Sequence, residues 1–536
     1  MTTADIRTRA SGLDIMASRR YGNSPIEAAL PGAIHILERL VSQADSDGDA
    51  PYMTAVSALG NETTITYRDL RDDSACLAEW FRAELVIEPG ETVAIAPLND
   101  VVSVVAIFAL LVAGAKIFFV NPDEKAERLE ELLKGRQIRH LLCTDVDKAK
   151  QLQGARHITS APAFKRHQSI TTKSLPRLSD TAFYFGTSGS TAASKIVAQT
   201  FENVSANAEA MRRLHKLDRE TKFLGCLPIH HVNGLHFTIM ATLWSGAHAI
   251  LLERFNPRQY ADCLHRHKPH LASAVPSILE VLLYDDNVLS LPREFRYFIS
   301  AAAPLAASTC RKVHDRFGVR VNQGYGLTET TNFSTTLPPE LNEATYRRAM
   351  IDAEIPSIGA AVFGNEVAVL RPDGSRARHG ERGEICMRGY NVMRGYDRNE
   401  EATREALREG WFHSGDIGYE QLDEETGMEL FFLTGREKNI AKVLGIAVSL
   451  EEMEHTLVKH PAVLDAACFT VPDELLGDAV TAAVVSDVSF DIDELRQHLL
   501  ARFSEAVLPM RFVKVQEIPR TATGKIIRAG LGARLG

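Results

Sequence analysis

The stretch Tyr184-Phe185-Gly186-Thr187-Ser188-Gly189-Ser190-Thr191-Ala192-Ala193-Ser194-Lys195 crowds hydroxyls and glycines into a loop that ends in a lysine. Such a loop suits a polyphosphate. Glycine lets backbone N–H groups reach phosphate oxygens with no Cβ in the way, hydroxyls add donors, and one cation offsets charge. The apolar lead-in Thr181-Ala182-Phe183-Tyr184-Phe185 predicts a short strand that delivers the loop to a fixed place. The spacing is not that of a Walker loop, and Gly186-Thr187-Ser188-Gly189 is one residue short of a nucleophile elbow.

A second cluster, Asn322-Gln323-Gly324-Tyr325-Gly326-Leu327-Thr328-Glu329-Thr330, offers an aromatic face, a hydroxyl and a carboxylate within five residues. An adenine can stack on Tyr325, Thr328 can bond a phosphate oxygen, and Glu329 is a hard oxygen ligand suited to Mg²⁺. Three more segments follow in order: Trp411-Phe412-His413-Ser414-Gly415-Asp416, Gly435-Arg436-Glu437-Lys438 and Pro519-Arg520-Thr521-Ala522-Thr523-Gly524-Lys525.

From Tyr67 to Arg528 the pattern resembles the adenylate-forming (ANL) superfamily of acyl-CoA synthetases, peptide-synthetase adenylation domains and luciferases. The resemblance implies a large multilayer N-terminal domain of αβαβα type with a β-subdomain, residues 1–437, and a small mobile α+β domain, residues 438–536. It implies that Thr187, Ser188, Gly189, Ser190, Thr191 and Lys195 grip the β- and γ-phosphates of ATP. Ala302 and Ala303 would pass along the adenine with Tyr325, Asp416 would accept from both ribose hydroxyls, and Arg436 would support the same region. Thr328 and Glu329 would serve the phosphates and Mg²⁺, and Lys525 would be the catalytic cation. Lys438 would be the hinge about which the small domain turns between two half-reactions, and Gly445 would line the entry for a pantetheine arm. The pieces Gly380–Ile385 and Gly389–Tyr396 match structural elements of the family and receive no chemistry here.

The chain departs from the pattern at Ala192, Ser194, Ala301, Asn439 and Leu450, where the family usually has glycine or serine, proline, glycine, aspartate and proline. These changes bear on substrate range and rate rather than on reaction class. Alanine fits where φ is negative and is strained where φ is positive.

The segment Leu227-Pro228-Ile229-His230-His231-Val232-Asn233-Gly234-Leu235 signals an acid pocket, with His231 at the family's gate beside the carboxylate. Adjacent histidines point apart and no carboxylate cluster accompanies them, so they do not read as metal ligands. His265, His267 and His270 read as a solvated segment. No aspartate follows Asn233 where amino-acid-activating relatives hold an ammonium, and Leu235, Phe237, Ile239 and Met240 suggest an apolar or aromatic acid.

The expected chemistry starts with a carboxylate attacking the α-phosphorus of ATP as pyrophosphate leaves. Fixed cations and donors must meet the charge that builds there. A thiol, of CoA or of the phosphopantetheine on a free-standing acyl carrier protein, then takes the acyl group and AMP departs. Two other outcomes share the motifs: transfer to an amine or other nitrogen nucleophile, and a non-catalytic nucleotide-binding homologue. A luciferase-type oxygenase shares them too.

These residues need a scaffold, and 536 residues are too many for one core. Sixty Lys and Arg against 69 Asp and Glu give a net charge of −9 with no basic block, which argues against nucleic acid as a partner. Seven cysteines without a C-x-x-C pair suit a reducing compartment, and no signal core precedes the fold, so a cytoplasmic enzyme is expected. The run Val101 to Ala115 is shorter than the roughly 18–20 residues of a membrane span and predicts a buried helix. Helices are further expected over Tyr67 to Leu85, after Ser449 with Glu452 as its capping box, and over Asp491 to Phe503 with Ile492, Leu495, Leu499 and Phe503 on one face. Strands are expected over Val93 to Pro97, Lys116 to Val120, Val463 to Thr470 and Ala479 to Val485.

Overall fold

The structure, a computed structural model, describes residues 16–21, 26, 35–152, 155–157, 170, 175–187, 195–285, 288, 290–436, 439–443, 446–473, 477–521, 525–528 and 531. Among these residues the backbone forms four sheets. A seven-stranded sheet is built on the parallel strands Thr92–Ala96, Lys116–Phe119 and Thr181–Gly186, closed on one side by the antiparallel strand Ile196–Thr200 and then by Gly395–Tyr396. A nine-stranded sheet carries Lys222–Gly225, Leu271–Ala274, Tyr297–Ser300 and Arg320–Tyr325 side by side in parallel. Strands covered on both faces are largely apolar, as in Lys116–Phe119 and Tyr297–Ser300, while Arg320–Tyr325 buries the polar Asn322 and Gln323.

The helix Val101–Ala113 lies between the two sheets, and its apolar circumference follows from that position. It packs with Val93, Ile95 and Ile117 of one sheet and Met53, Ala249 and Leu251 of the other. Asp100 caps its start by accepting from Ser103 N at 2.6 Å. Its end comes two residues earlier than the apolar run suggests, because Gly114 turns the chain at φ 85°. The helix Tyr67–Glu84 beside it opens on a reciprocal capping box between Thr66 and Asp69. Among the described residues no helix is long and apolar enough to cross a membrane.

A four-stranded antiparallel sheet follows, ordered Asn365–Leu370, Gly383–Gly389, Phe412–Asp423 and Met428–Arg436. The small C-terminal unit has its own sheet and its own core, formed by Val448, Met453, Leu457, Cys468, Val484, Leu495 and Leu499 among others. Ser449 caps the helix Leu450–Val458 as expected, accepting from Glu452 N at 3.2 Å. The Glu452 carboxylate is engaged elsewhere, with Arg502 of its own unit and with Arg382 of the large unit at 3.0 Å. The last helix is shorter than expected, Ile492–Leu500, and Ile492 is 44% exposed while Leu495 and Leu499 face the core. The histidines at 265–270 are less solvated than their composition suggests. His267 pairs with Glu62 at 3.0 Å and His270 Nδ1 accepts from Lys222 N at 2.9 Å.

Candidate active site

Parallel strands of the large sheet end together, and their ends carry the motif residues. Ser300 and Gln323 are register partners, so the turn Ala301-Ala302-Ala303 lies beside the exit Gly324-Tyr325. From the four-stranded sheet, Asp416 and Arg436 face each other as register partners on antiparallel strands. Tyr325 Oη donates to Asp416 Oδ2 at 2.6 Å, and Arg436 Nε lies 2.8 Å from Asp416 Oδ1. The second contact is an ion pair off the hydrogen-bonding direction. Asp416 Oδ1 thus makes no hydrogen bond among the described residues, although the residue is only 1% exposed. A buried carboxylate oxygen in that state is a ready acceptor for a sugar hydroxyl. Burial, reinforced by Asp416, holds the Tyr325 hydroxyl far above the usual tyrosine range, so it stays a donor. The Asp416 charge raises the Arg436 guanidinium further.

Thr328 and Glu329 sit in a 3₁₀ turn, Thr328–Thr330, directly after that exit. Gly326 makes the turn possible, since a Cβ there would lie 1.6 Å from Asn332 O. Gln199 Nε2 donates to Thr328 O at 2.9 Å, and Met393 N donates to Glu329 O at 2.8 Å. Tyr396 Oη donates to Glu329 Oε1 at 2.9 Å, and Lys195 Nζ stands 4.8 Å from the centre of the Tyr396 ring. A carboxylate oriented through Oε1 in this way fits a hard divalent cation. Thr187 N donates to Lys195 O at 2.9 Å, which ties together the two ends of the loop expected to hold phosphates. Ser188, Gly189, Ser190 and Thr191 lie outside the described residues, as do Lys438 and Gly445.

Gln199 was not singled out from the sequence, and Tyr396 appeared there only at the end of a segment given no chemistry; the strand Ile196–Thr200 leaves Lys195, and Gly395–Tyr396 pairs with it through Tyr396 and Val197.

His230 and His231 have ring centroids 4.3 Å apart. Burial pushes the His231 imidazole down to about 4, with the charge of Lys525 pushing the same way. Lys525 is held by a local clasp: Thr521 N donates to Lys525 O at 2.8 Å, and Lys525 N donates to Thr521 Oγ1 at 3.1 Å. Beyond His231 the chain forms a π-helix, Gly234–Ala241, a conformation enriched at functional sites. Leu235, Ile239 and Met240 pack in the core between the two large sheets, while Phe237 meets Phe333 edge-on at 5.5 Å.

Three departures from the family pattern have local explanations. Ala301 is absent from the positive-φ residues; its neighbour Ala302 has φ 72°. Asn439 donates to Glu451 Oε1, where an aspartate would set two carboxylates together. Leu450 is the first residue of its helix, 4% exposed in the core of the small unit.

The AMP-binding enzyme family matches residues 40–397, and its C-terminal domain family matches residues 452–525. The chain is 32% identical over 429 residues to the sulfoacetate–CoA ligase of Cupriavidus necator, covering 79% of each. The ATP-bound MatB structure from Rhodopseudomonas palustris shares the fold at a TM-score of 0.82 and 24% identity, over 94% of this chain and 100% of that one. The o-succinylbenzoate CoA synthetase (MenE) of Bacillus subtilis, solved with its acyl-adenylate intermediate OSB-AMP, is similar at 0.79 and 26%, over 92% and 97%. The chain belongs to the AMP-binding enzyme family and is an adenylate-forming enzyme of the acyl-CoA ligase type.

Proposed function

We propose that the protein joins a small carboxylic acid to a thiol in two steps, through an acyl-adenylate formed from ATP with release of pyrophosphate. The observation that carries this is the one buried cluster of Tyr325, Asp416 and Arg436, in which Asp416 Oδ1 makes no hydrogen bond among the described residues. Asp416 Oδ1 accepts from the ribose, and Arg436 supports the same sugar. Ala302 and Ala303 flank the adenine with Tyr325. The loop from Thr187 to Lys195 and the Thr328 hydroxyl hold the phosphates. Glu329 would hold Mg²⁺, which would neutralise charge on the triphosphate. The Lys525 ammonium meets the charge that develops as the acid carboxylate attacks the α-phosphorus.

His231 stays neutral at physiological pH and gates the acid rather than pairing with it as a cation. The apolar residues that follow His231, Leu235, Phe237, Ile239 and Met240, support an apolar or aromatic acid without an α-ammonium. The related ligase and synthetase act on sulfoacetate and o-succinylbenzoate, and both join their acid to CoA, which supports CoA as the acceptor here. The phosphopantetheine of a free-standing carrier protein presents the same thiol. The boundary falls at Lys438, about which residues 438–536 turn to bring Gly445 to the thiol's path.

The test is pyrophosphate and AMP release from ATP across a panel of aryl, alkyl and sulfonated acids, with and without CoA. Release that follows one acid class and turns over only with CoA supports the proposal. Release that is indifferent to the acid would refute it.

A further inference from the structure

Glu384, Cys386 and His413 place a carboxylate oxygen, a thiol and an imidazole nitrogen within 4.8 Å of one another, the kind of grouping that can hold a metal ion. Their hydrogen bonds assign the cluster differently. Glu384 Oε1 accepts from Gly415 N at 2.8 Å, and Oε2 lies 2.7 Å from His413 Nδ1 and 3.4 Å from Arg408 Nη2. Both carboxylate oxygens are thus occupied. Burial keeps the Cys386 thiol far above its usual range, so it is no thiolate. Cys386 Sγ lies 3.4 Å from the same His413 nitrogen and completes the packing around it.

The register explains what the carboxylate holds. Between Gly383–Gly389 and Phe412–Asp423, Glu384 pairs with Ile417 and Cys386 pairs with His413. One residue, Ile385, therefore faces three, Ser414, Gly415 and Asp416. This is a bulge, the device that bends a strand and re-aims a side chain. Gly415 sits at φ 70°, and Ser414 Oγ donates to Ile385 O at 2.6 Å while accepting from Asp416 N at 2.9 Å. The bulge delivers Asp416 to Tyr325 and Arg436, and Glu384 fills its concave side.

We infer that Glu384 is a positioning residue for nucleotide binding: by clamping Gly415 N and His413 it fixes the bulge that aims Asp416 Oδ1 at the ribose hydroxyls. The inference rests on the proposed role of Asp416 as the ribose acceptor. Although burial opposes ionisation, hydrogen bonds from His413 and Gly415 N and the charge of Arg408 hold the Glu384 carboxyl below its usual range, so it is an acceptor at neutral pH. Glu384 acts on the nucleotide through Asp416.

A double-mutant cycle tests this, with KM for ATP, 2′-deoxy-ATP and 3′-deoxy-ATP measured for the native enzyme, Glu384→Gln, Asp416→Ala and the double variant. Glu384→Gln is expected to raise KM for ATP about 10-fold, to leave KM for the acid within twofold, and to remove most of the preference for ATP over the deoxy analogues. In the Asp416→Ala background it should do nothing further. Asp416→Ala without preference, combined with Glu384→Gln that keeps it or adds its cost in full to the double variant, would overturn the inference alone. Asp416→Ala that retains the preference would overturn the ribose assignment and the inference with it. If Glu384→Gln does not fold, His413→Asn cuts the same clamp from its other side, and the same criteria apply.

Discussion

Tyr325 and Asp416, far apart in the chain and on different sheets, are joined by a 2.6 Å hydrogen bond from the tyrosine hydroxyl to the carboxylate. That bond ties the parallel sheet to the antiparallel one where the adenine and ribose are expected. Because the acceptor is charged and buried, the bond belongs to the stronger class. Tyr325→Phe should raise KM for ATP by roughly 5- to 20-fold, consistent with a charge-assisted bond of about 1–2 kcal/mol, with KM for the acid unchanged. Steady-state kinetics with each substrate varied in turn checks this.

The two units are held in the described arrangement partly by Arg382 and Glu452, 3.0 Å apart across their boundary. Arg382 is 52% exposed on its side chain, so the pair is screened and its contribution is small, about 0.5–1 kcal/mol. Arg382→Ala should slow pyrophosphate release two- to fivefold and leave thioester formation from supplied acyl-adenylate unchanged or faster. The effect on the first step should fade in high salt. Equal slowing of both half-reactions would count against a domain-specific role.

Ala302 occupies left-handed backbone at φ 72° beside the expected adenine path. A Cβ there is unfavourable and glycine is not. Ala302→Gly is expected to stabilise the protein by about 0.5–1 kcal/mol in urea unfolding of the large unit. A loss of stability would mean that the Ala302 methyl makes contacts worth more than the strain.

Glu209 is buried, and burial opposes its ionisation. Hydrogen bonds from Arg212, Arg213 and Trp244 at 2.7 to 2.8 Å outweigh that and hold its carboxyl at about 2. A depressed acid contributes stability above its unfolded pKa of roughly 4.3 and loses it as pH falls through the folded value. The contribution, on the order of 2–3 kcal/mol at pH 7, should therefore disappear between about pH 4.5 and pH 2. Glu209→Gln should be less stable than the native protein at pH 7, with the gap closing below pH 3. A gap that is constant with pH would contradict this.

Local order was legible where the signal is local. The buried helix Val101–Ala113, the Ser449 cap and the strand Thr181–Gly186 all follow from neighbouring residues. Helix ends were less legible, because Gly114 stops its helix through backbone geometry that an apolar run does not show. Thr328 and Glu329 were read from the chemistry of their own side chains, whereas Asp416, Arg436 and Lys525 were expected from the family resemblance. Their holders were not legible. Gln199 meets Thr328, Tyr396 meets Glu329 and Glu384 meets Gly415 through pairings between distant strands, and no residue spacing encodes those. The apolar residues after His231 gave a partial reading: most serve the core between the sheets, and Phe237 alone of the four packs on Phe333.

The most direct measurement is acid-dependent pyrophosphate release by Lys525→Ala, set beside its conversion of supplied acyl-adenylate and CoA to thioester. The expected result is a loss of about 100- to 1,000-fold in pyrophosphate release, with thioester formation within a few-fold of the native rate. Pyrophosphate release at the native rate would contradict the claim that Lys525 drives adenylation.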